Sequence, residues 1–110
     1  GIHVAASTDG PCMYPDWKDT IQSAVLRKSK ISGKVFGPEQ RISVSEAIRM
    51  FTIEAAWFDN LENQKGSIEY GKLADMCILD KDILDIDPHR IQEIKTTMTI
   101  VGGKIVFDAF

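Results

Sequence analysis

The sequence has few of the residues that build a self-contained metal or disulfide site. Its 110 residues include two cysteines and two histidines. Cys12 and Cys77 belong to no CxxC or CxxH motif, so a zinc ribbon or redox motif has no support, and we expect two reduced, small apolar side chains. His3 lies in an apolar segment and is expected in the core, whereas His89 lies in a charged turn and is expected at the surface. Nothing in the spacing favours a site at which all four converge.

Long apolar runs and blocks of one charge are also missing. No run approaches the roughly 20 apolar residues that span a bilayer, and no charged region followed by an apolar one opens the chain as in a signal peptide. Thirteen Lys and Arg are mixed among sixteen Asp and Glu, for a net charge of −3, which indicates no basic nucleic-acid patch. We therefore expect a soluble cytoplasmic protein that binds neither nucleic acid nor membrane.

The residues that are present are those of an ordinary globular protein. Apolar residues make up 44% of the chain and charged residues 26%. A chain of this length is expected to form one compact unit with a modest core. Because the first residue is Gly1 and not Met, we expect a piece of a longer polypeptide.

The first eleven residues, "GIHVAASTDGP", contain one acidic residue, Asp9. The apolar run Ile2–Ser7 predicts a strand buried on both faces, as in a parallel sheet, and "TDGP" predicts a turn. Asp9 then has two interpretations. It is a turn residue that bonds its own backbone, which the local residues favour, or a carboxylate at the carboxyl end of a parallel strand, where α/β folds place catalytic groups. Spacing alone does not decide between them.

Two helices are predicted in the first 65 residues. Asp16 precedes an amphipathic run that predicts a short helix over residues 17–29. Ser43 and Glu46 form a capping box that predicts the start of a second helix, running to Phe58. Apolar side chains lie on more than one side of this second helix, which indicates a helix of the core or of an interface.

From Gly66 onward the pattern changes to short strands, so Gly66 is the expected internal boundary. Strands are predicted near Ile68 and over Ala74–Leu79, and two more are predicted around a hairpin at Gly102-Gly103. Asp87-Pro88 is typical of the entry to a helical turn. Five aspartates without the central glycine of a calcium loop indicate a solvated edge: Asp75, Asp80, Asp82, Asp85 and Asp87.

Three separated motifs together resemble the amidohydrolase superfamily of metal-dependent hydrolases, and most closely amidohydrolase family 3. "ASTDGP" is similar to the motif that follows strand eight of that family, and "ISVSEAIRMFTIEAAWF" to the helix after it. "KGSIEYGKLADMCILDKD" with "TTMTIVGGKIVF" resembles the family's glycine-rich tail and its Leu-Ala-Asp strand. The resemblance extends over essentially the whole chain.

The resemblance implies an α+β fragment of a larger enzyme. Residues 1–65 are expected to be the last strand and helices of a (β/α)8 barrel, and residues 66–110 a small C-terminal β-layer, one half of a composite β-sandwich. A complete barrel takes about 250 residues. The family's HxH motif and its other metal-binding histidines have no counterpart here, so they are expected to precede Gly1.

The resemblance also implies a chemistry. Such enzymes hydrolyse carbon–nitrogen bonds other than peptide bonds in small amide-like molecules, with one or two divalent metals, of which zinc is the expected one. Asp9 is implied to bind metal or to handle the proton of the metal-bound water. By itself the chain is expected to be inactive and metal-free, and to associate with itself through unpaired edges.

Two further hypotheses remain open. A small non-enzymatic α+β domain for oligomerisation or interaction explains the same elements, with "TDGP" merely a turn. The loop over residues 10–16 is either an apolar wall for a substrate, formed by Met13, Tyr14, Pro15 and Trp17, or a buried hinge.

Overall fold

The chain forms three α-helices, two short 3-10 helices and one three-stranded antiparallel sheet; the computed structural model describes all residues, 1–110. No helix combines the length and the apolar character that crossing a membrane requires. In chain order the elements are α1 (Trp17–Leu26), a 3-10 helix (Pro38–Gln40), α2 (Val44–Phe51), α3 (Ile53–Phe58), β1 (Met76–Leu79), a 3-10 helix (Pro88–Glu93), β2 (Thr96–Val101) and β3 (Lys104–Asp108).

The starts of the first two helices follow from their capping residues. The carboxylate of Asp16 accepts a hydrogen bond from the amide of Lys18 at 3.0 Å. At the start of α2 the hydroxyl of Ser43 accepts from the amide of Glu46 at 3.2 Å, and the Glu46 carboxylate accepts from the amide of Ser43 at 2.8 Å. Each bond satisfies a backbone N–H that a helix start leaves open. Both predicted helix starts are confirmed.

The helix predicted from Ser43 to Phe58 is instead two helices, broken at Thr52. The backbone of Thr52 has φ −118° and ψ −92°, outside the helical region. Its hydroxyl donates to the carbonyl of Ile48 at 2.9 Å, a side-chain bond that competes with the regular ladder. Of the side chains predicted to widen the apolar face of this helix, Met50 and Ile53 are partly buried, whereas Trp57 is 42% exposed; Phe58 at the end is 57% exposed.

The core lies between α1, α2 and the second 3-10 helix. Its buried side chains are Ile21, Ala47, Ile83, Ile91 and Ile94. Two polar bonds tie α1 to the C-terminal half: Lys18 Nζ donates to the carbonyl of Ile94 at 3.0 Å, and Gln22 Nε2 to that of Pro88 at 2.9 Å. The main hydrophobic cluster therefore draws residues from both sides of Gly66.

The sheet has the order β1-β2-β3, and neighbouring strands are antiparallel. The predicted hairpin at Gly102-Gly103 is confirmed, and both glycines have positive φ. The carboxylate of Asp75 accepts from the amide of Gly102 at 2.7 Å, so the Leu-Ala-Asp segment closes the hairpin turn. The brief strand predicted near Ile68 is absent; that region forms turns.

The N-terminal segment, residues 1–16, contains no helix or strand. The strand predicted over Ile2–Ser7 is wrong for this chain, and so is its burial, since Ile2 is 93% exposed and Val4 50% exposed. A parallel strand requires neighbouring strands to bond its backbone. Here the only backbone bond that this run makes joins the amide of Ala6 to the carbonyl of Met50, at 3.1 Å.

Candidate active site around Asp9

Asp9 lies in an exposed turn that its backbone shapes. Its φ is +54°, in the left-handed region, which costs energy for a residue with a side chain, although Asp tolerates it better than most. The amide of Asp9 donates to the hydroxyl of Ser7 at 3.2 Å, and its carbonyl accepts from the amide of Met13 at 3.2 Å. Left-handed backbone at a non-glycine residue is a feature that clusters at functional sites.

The carboxylate of Asp9 accepts no hydrogen bond within the chain. Most Asp and Glu carboxylates in the C-terminal half of the chain do accept one. The turn is therefore present as predicted, but the expected bond from the Asp9 side chain to its own backbone is not; Ser7 supplies the side-chain acceptor instead. The result is an exposed carboxylate that the local fold does not use. Such a group is available to a ligand or to another segment of protein.

The residues of this chain do not by themselves fit the metal site that the resemblance implies. No three His, Cys, Asp or Glu side chains converge into a group that could hold a metal ion. Zinc takes about four protein or water ligands, and Asp9 alone supplies carboxylate oxygens only. The residues of this chain alone therefore support no catalytic step at a metal.

The other sequence-level candidates are dispersed over the surface. His89 Nδ1 contacts Asp87 at 3.0 Å in an exposed pair, as predicted for a surface histidine. Cys12 and Cys77 are free, and both are exposed. Of the five aspartates of the acidic string, all exposed, four accept backbone amides as turn or cap residues: Asp75, Asp80, Asp82 and Asp87.

His3 is not a core residue, and its surroundings were not foreseen from the sequence. Its Nδ1 lies 2.6 Å from Glu54 Oε2, and its ring stacks on Trp57 with centroids 4.0 Å apart and planes 8° from parallel. Arg49 Nη2 contacts the other Glu54 oxygen at 3.2 Å. The pKa of Glu54 is lowered, chiefly by the hydrogen bond from His3 and then by Arg49. No local pattern links residues so far apart in the chain, so only the fold could reveal this cluster.

The loop between Asp9 and α1 divides into an exposed part and an anchored end. Met13 is 65% exposed and Tyr14 84% exposed, whereas Trp17 packs against the core. The amide of Asp16 donates to the carbonyl of Tyr14 at 2.7 Å, which fixes the end of the loop beside α1. The buried-hinge alternative is therefore wrong for residues 13–15. Of the four residues predicted to form an apolar wall, Met13, Tyr14 and Pro15 are exposed, and Trp17 packs against the core instead.

Comparison with known proteins connects the chain to one enzyme family. The sequence pattern that defines the amidohydrolase family matches residues 1–107. An N-substituted formamide deformylase of Arthrobacter pascens is 30% identical over 108 residues, which cover 98% of this chain and 20% of that protein. A 5-methylthioadenosine/S-adenosylhomocysteine deaminase of Teredinibacter turnerae is 37% identical over 106 residues, 96% of this chain and 23% of that protein.

The chain thus spans about a fifth of the length of the curated relatives that it matches. No solved structure matches it significantly. Because the family model extends over nearly the whole chain, the match includes the Asp9 turn, the helices and the sheet together. The resemblance read from the three motifs is confirmed: this chain belongs to the amidohydrolase family.

Proposed function

We propose that this chain is the C-terminal portion of a metal-dependent amidohydrolase that cleaves carbon–nitrogen bonds, other than peptide bonds, in small amide-like molecules. The observation that carries the proposal is the exposed Asp9 carboxylate, which no group of the chain engages, inside a family match over residues 1–107. The names of the relatives support the reaction class, since one is a formamide deformylase and another a deaminase. We propose that the chain alone is inactive, because the other metal ligands lie in the rest of the enzyme.

In the proposed enzyme, residues 1–65 complete a (β/α)8 barrel and residues 66–110 form a β-layer. Two exposed surfaces support this placement. The segment Ile2–Ser7 is apolar but has no strand beside it, and β3 is exposed along its whole length. Strands from the rest of a longer protein would pair with Ile2–Ser7 and with β3. Ile2–Ser7 would then form the parallel strand that its composition favours.

Asp9 is the one catalytic and metal-binding residue that we assign to this chain. In the proposed enzyme it faces a divalent metal, for which we propose zinc, whose other ligands lie outside residues 1–110. Such a metal, when bound, would supply an activated water and a Lewis acid. The role of this chain in the proposed enzyme is to hold the Asp9 carboxylate at the end of the barrel strand. Met13 and Tyr14 lie beside it as a candidate wall for the substrate.

A zinc titration of the purified chain tests this assignment. Since one carboxylate cannot hold zinc, equilibrium dialysis against zinc chloride followed by elemental analysis should find far less than one tightly held zinc per chain. Asp9→Asn should leave that value unchanged. Tight binding of one zinc per chain, abolished by Asp9→Asn, would contradict the proposal that the remaining ligands lie elsewhere.

The second candidate function is a non-enzymatic domain for oligomerisation or interaction. It is favoured by the buried cluster around Ile21, Ile91 and Ile94, which this chain completes without any other segment. The coding sequence upstream of Gly1 separates the two candidates. An HxH motif in frame with Gly1 supports the enzyme, and a start codon directly before Gly1 supports the small domain.

We propose small-molecule substrates as the partners of the enzyme, with neither nucleic acid nor membrane among them. The net charge of −3 supports the first exclusion, because phosphate binding calls for a basic patch. The cytoplasm is the proposed compartment, since both cysteines are free. When separated from the rest of the enzyme, the chain is proposed to associate with itself through its exposed sheet.

A further inference from the structure

His3 connects the N-terminal segment to α3 through two side chains, those of Glu54 and Trp57. His3 Nδ1 contacts the Glu54 carboxylate at 2.6 Å while the imidazole lies flat on the Trp57 indole, with centroids 4.0 Å apart. We call this arrangement of His3, Glu54 and Trp57 the His3 clasp. Both partners belong to α3, so the clasp joins parts of the chain that are about 50 residues apart.

The chemistry of the clasp fixes both the position and the rotation of the imidazole. An ionised carboxylate only accepts hydrogen bonds, so Nδ1 carries the hydrogen in this contact. Stacking on the indole sets the plane of the ring. Arg49 occupies the second oxygen of Glu54 at 3.2 Å, which holds the carboxylate in place for His3. The cleft beside His3 is also lined by Glu46 of α2.

We propose that His3 is a positioning residue: the His3 clasp holds residues 1–7 against α2 and α3 and thereby sets where Asp9 stands. This inference rests on the proposed catalytic function of Asp9. The segment has no strand beside it, so its other attachment is the bond from the Ala6 amide to the Met50 carbonyl at 3.1 Å. Asp9 follows three residues after Ala6, and the bond from its amide to the Ser7 hydroxyl links its position to that of Ala6.

The chain contains a matched control for the clasp. His89 Nδ1 contacts an Asp87 oxygen at 3.0 Å, and its side chain is 60% exposed against 47% for His3. This pair joins residues two positions apart and so holds no separate segments together. Replacing His89 removes the same kind of contact from the surface without touching the N-terminal segment.

Amide hydrogen exchange of Ala6, followed by NMR in the purified 110-residue chain, tests the clasp. His3→Ala should speed exchange at Ala6 by about fivefold or more, because local opening then depends on one backbone bond. His3→Asn places an amide donor where Nδ1 stood and should return the rate to within about twofold of the original chain. His89→Ala should leave it unchanged.

The amide of Ala47, which bonds the carbonyl of Ser43 at 3.0 Å inside α2, reports whether each variant is folded. Protection at Ala47 must persist in every variant. If Ala6 exchanges at the same rate in His3→Ala as in the original chain while Ala47 stays protected, the clasp positions nothing and the inference is wrong. If His3→Asn exchanges as fast as His3→Ala, the hydrogen bond to Glu54 is not what holds the segment, and the inference is equally wrong.

These results are separable from the proposed function. Ala6 exchange is measured without substrate or metal, so the clasp can hold even if Asp9→Asn leaves the enzyme active. Conversely, the loss of activity in Asp9→Asn would support the catalytic role even where Ala6 exchange is insensitive to His3. In the longer enzyme, where neighbouring strands would also hold Ile2–Ser7, His3→Ala should lower kcat by less than Asp9→Asn does. His3→Asn should restore most of that kcat, and His89→Ala should leave it unchanged.

Discussion

The helical part of the molecule and its sheet differ in how much of their apolar surface they cover. Ile21, Ile91 and Ile94 are at most 1% exposed, because α1, α2 and the second 3-10 helix enclose them. On β3, by contrast, Ile105 is 58% exposed and Val106 62% exposed, although these residues point to opposite faces of a strand. One part of the chain completes its own core, and the other leaves both faces of a strand uncovered.

This difference shows which stabilising contacts lie inside the chain and which are expected from elsewhere. Burial of a large aliphatic side chain contributes about 1.5–3 kcal/mol, and an exposed one contributes little. The helical part should therefore determine the free energy of unfolding. The sheet should instead determine association, because uncovered apolar faces and an unpaired edge strand promote it.

The largest effect is expected when an isoleucine of the core is shortened. Ile94→Ala should lower the free energy of unfolding by about 2–5 kcal/mol, since the side chain is fully buried and leaves a cavity. Ile105→Ala, the same change on β3, should lower it by less than about 1 kcal/mol. Urea denaturation measures both variants. Equal losses would show that the sheet is as closely packed as the helical core, which would contradict the difference between the two parts.

A smaller effect is expected at Gly66, the glycine whose backbone packs against α3. Gly66 has φ +95°, and a Cβ there would stand 2.8 Å from the Cβ of Ala56. Gly71 has φ +88° with open space around it, so it provides a matched control. Gly66→Ala should therefore cost about 1–3 kcal/mol more than Gly71→Ala, whose cost is that of the backbone alone. Thermal denaturation of the two variants compares them; similar midpoints would contradict the close approach of Gly66 to α3.

The smallest effect concerns association through the sheet. Val106→Lys places a charge on β3 and should weaken self-association about tenfold, whereas Ile31→Lys adds the same charge at a fully exposed loop position and should not. Sedimentation velocity at micromolar concentration measures the association. A compact monomer for the original chain under these conditions would show that the uncovered sheet does not drive association.

The sequence predicted the features that depend on neighbouring residues. The capping box at Ser43, the cap at Asp16 and the hairpin at Gly102 are all formed from residues a few positions apart, and the structure confirms each of them. The Asp9 turn was predicted for the same reason. Local chemistry is enough to decide such features.

Features that depend on distant partners were missed. The run Ile2–Ser7 has the composition of a buried parallel strand, but a strand needs neighbours, and this chain provides none. The contact of His3 with Glu54 also arises from tertiary packing, which no periodicity encodes. The break at Thr52 was missed for another reason: the apolar periodicity continues through it and predicts one unbroken helix. For the candidate site, the sequence identified Asp9 but neither its free carboxylate nor the clasp beside it.

The most direct test of the account is the effect of Asp9→Asn on hydrolysis by the longer enzyme that we propose. The assay uses a panel of an amide, a urea, a formamide and a cyclic imide, with Asp85→Asn as the control because Asp85 is exposed and its side chain bonds nothing. If the Asp9 carboxylate is catalytic, Asp9→Asn should lower kcat/KM by about 10²–10⁴-fold, while Asp85→Asn should leave it unchanged. Full activity in Asp9→Asn would contradict the account.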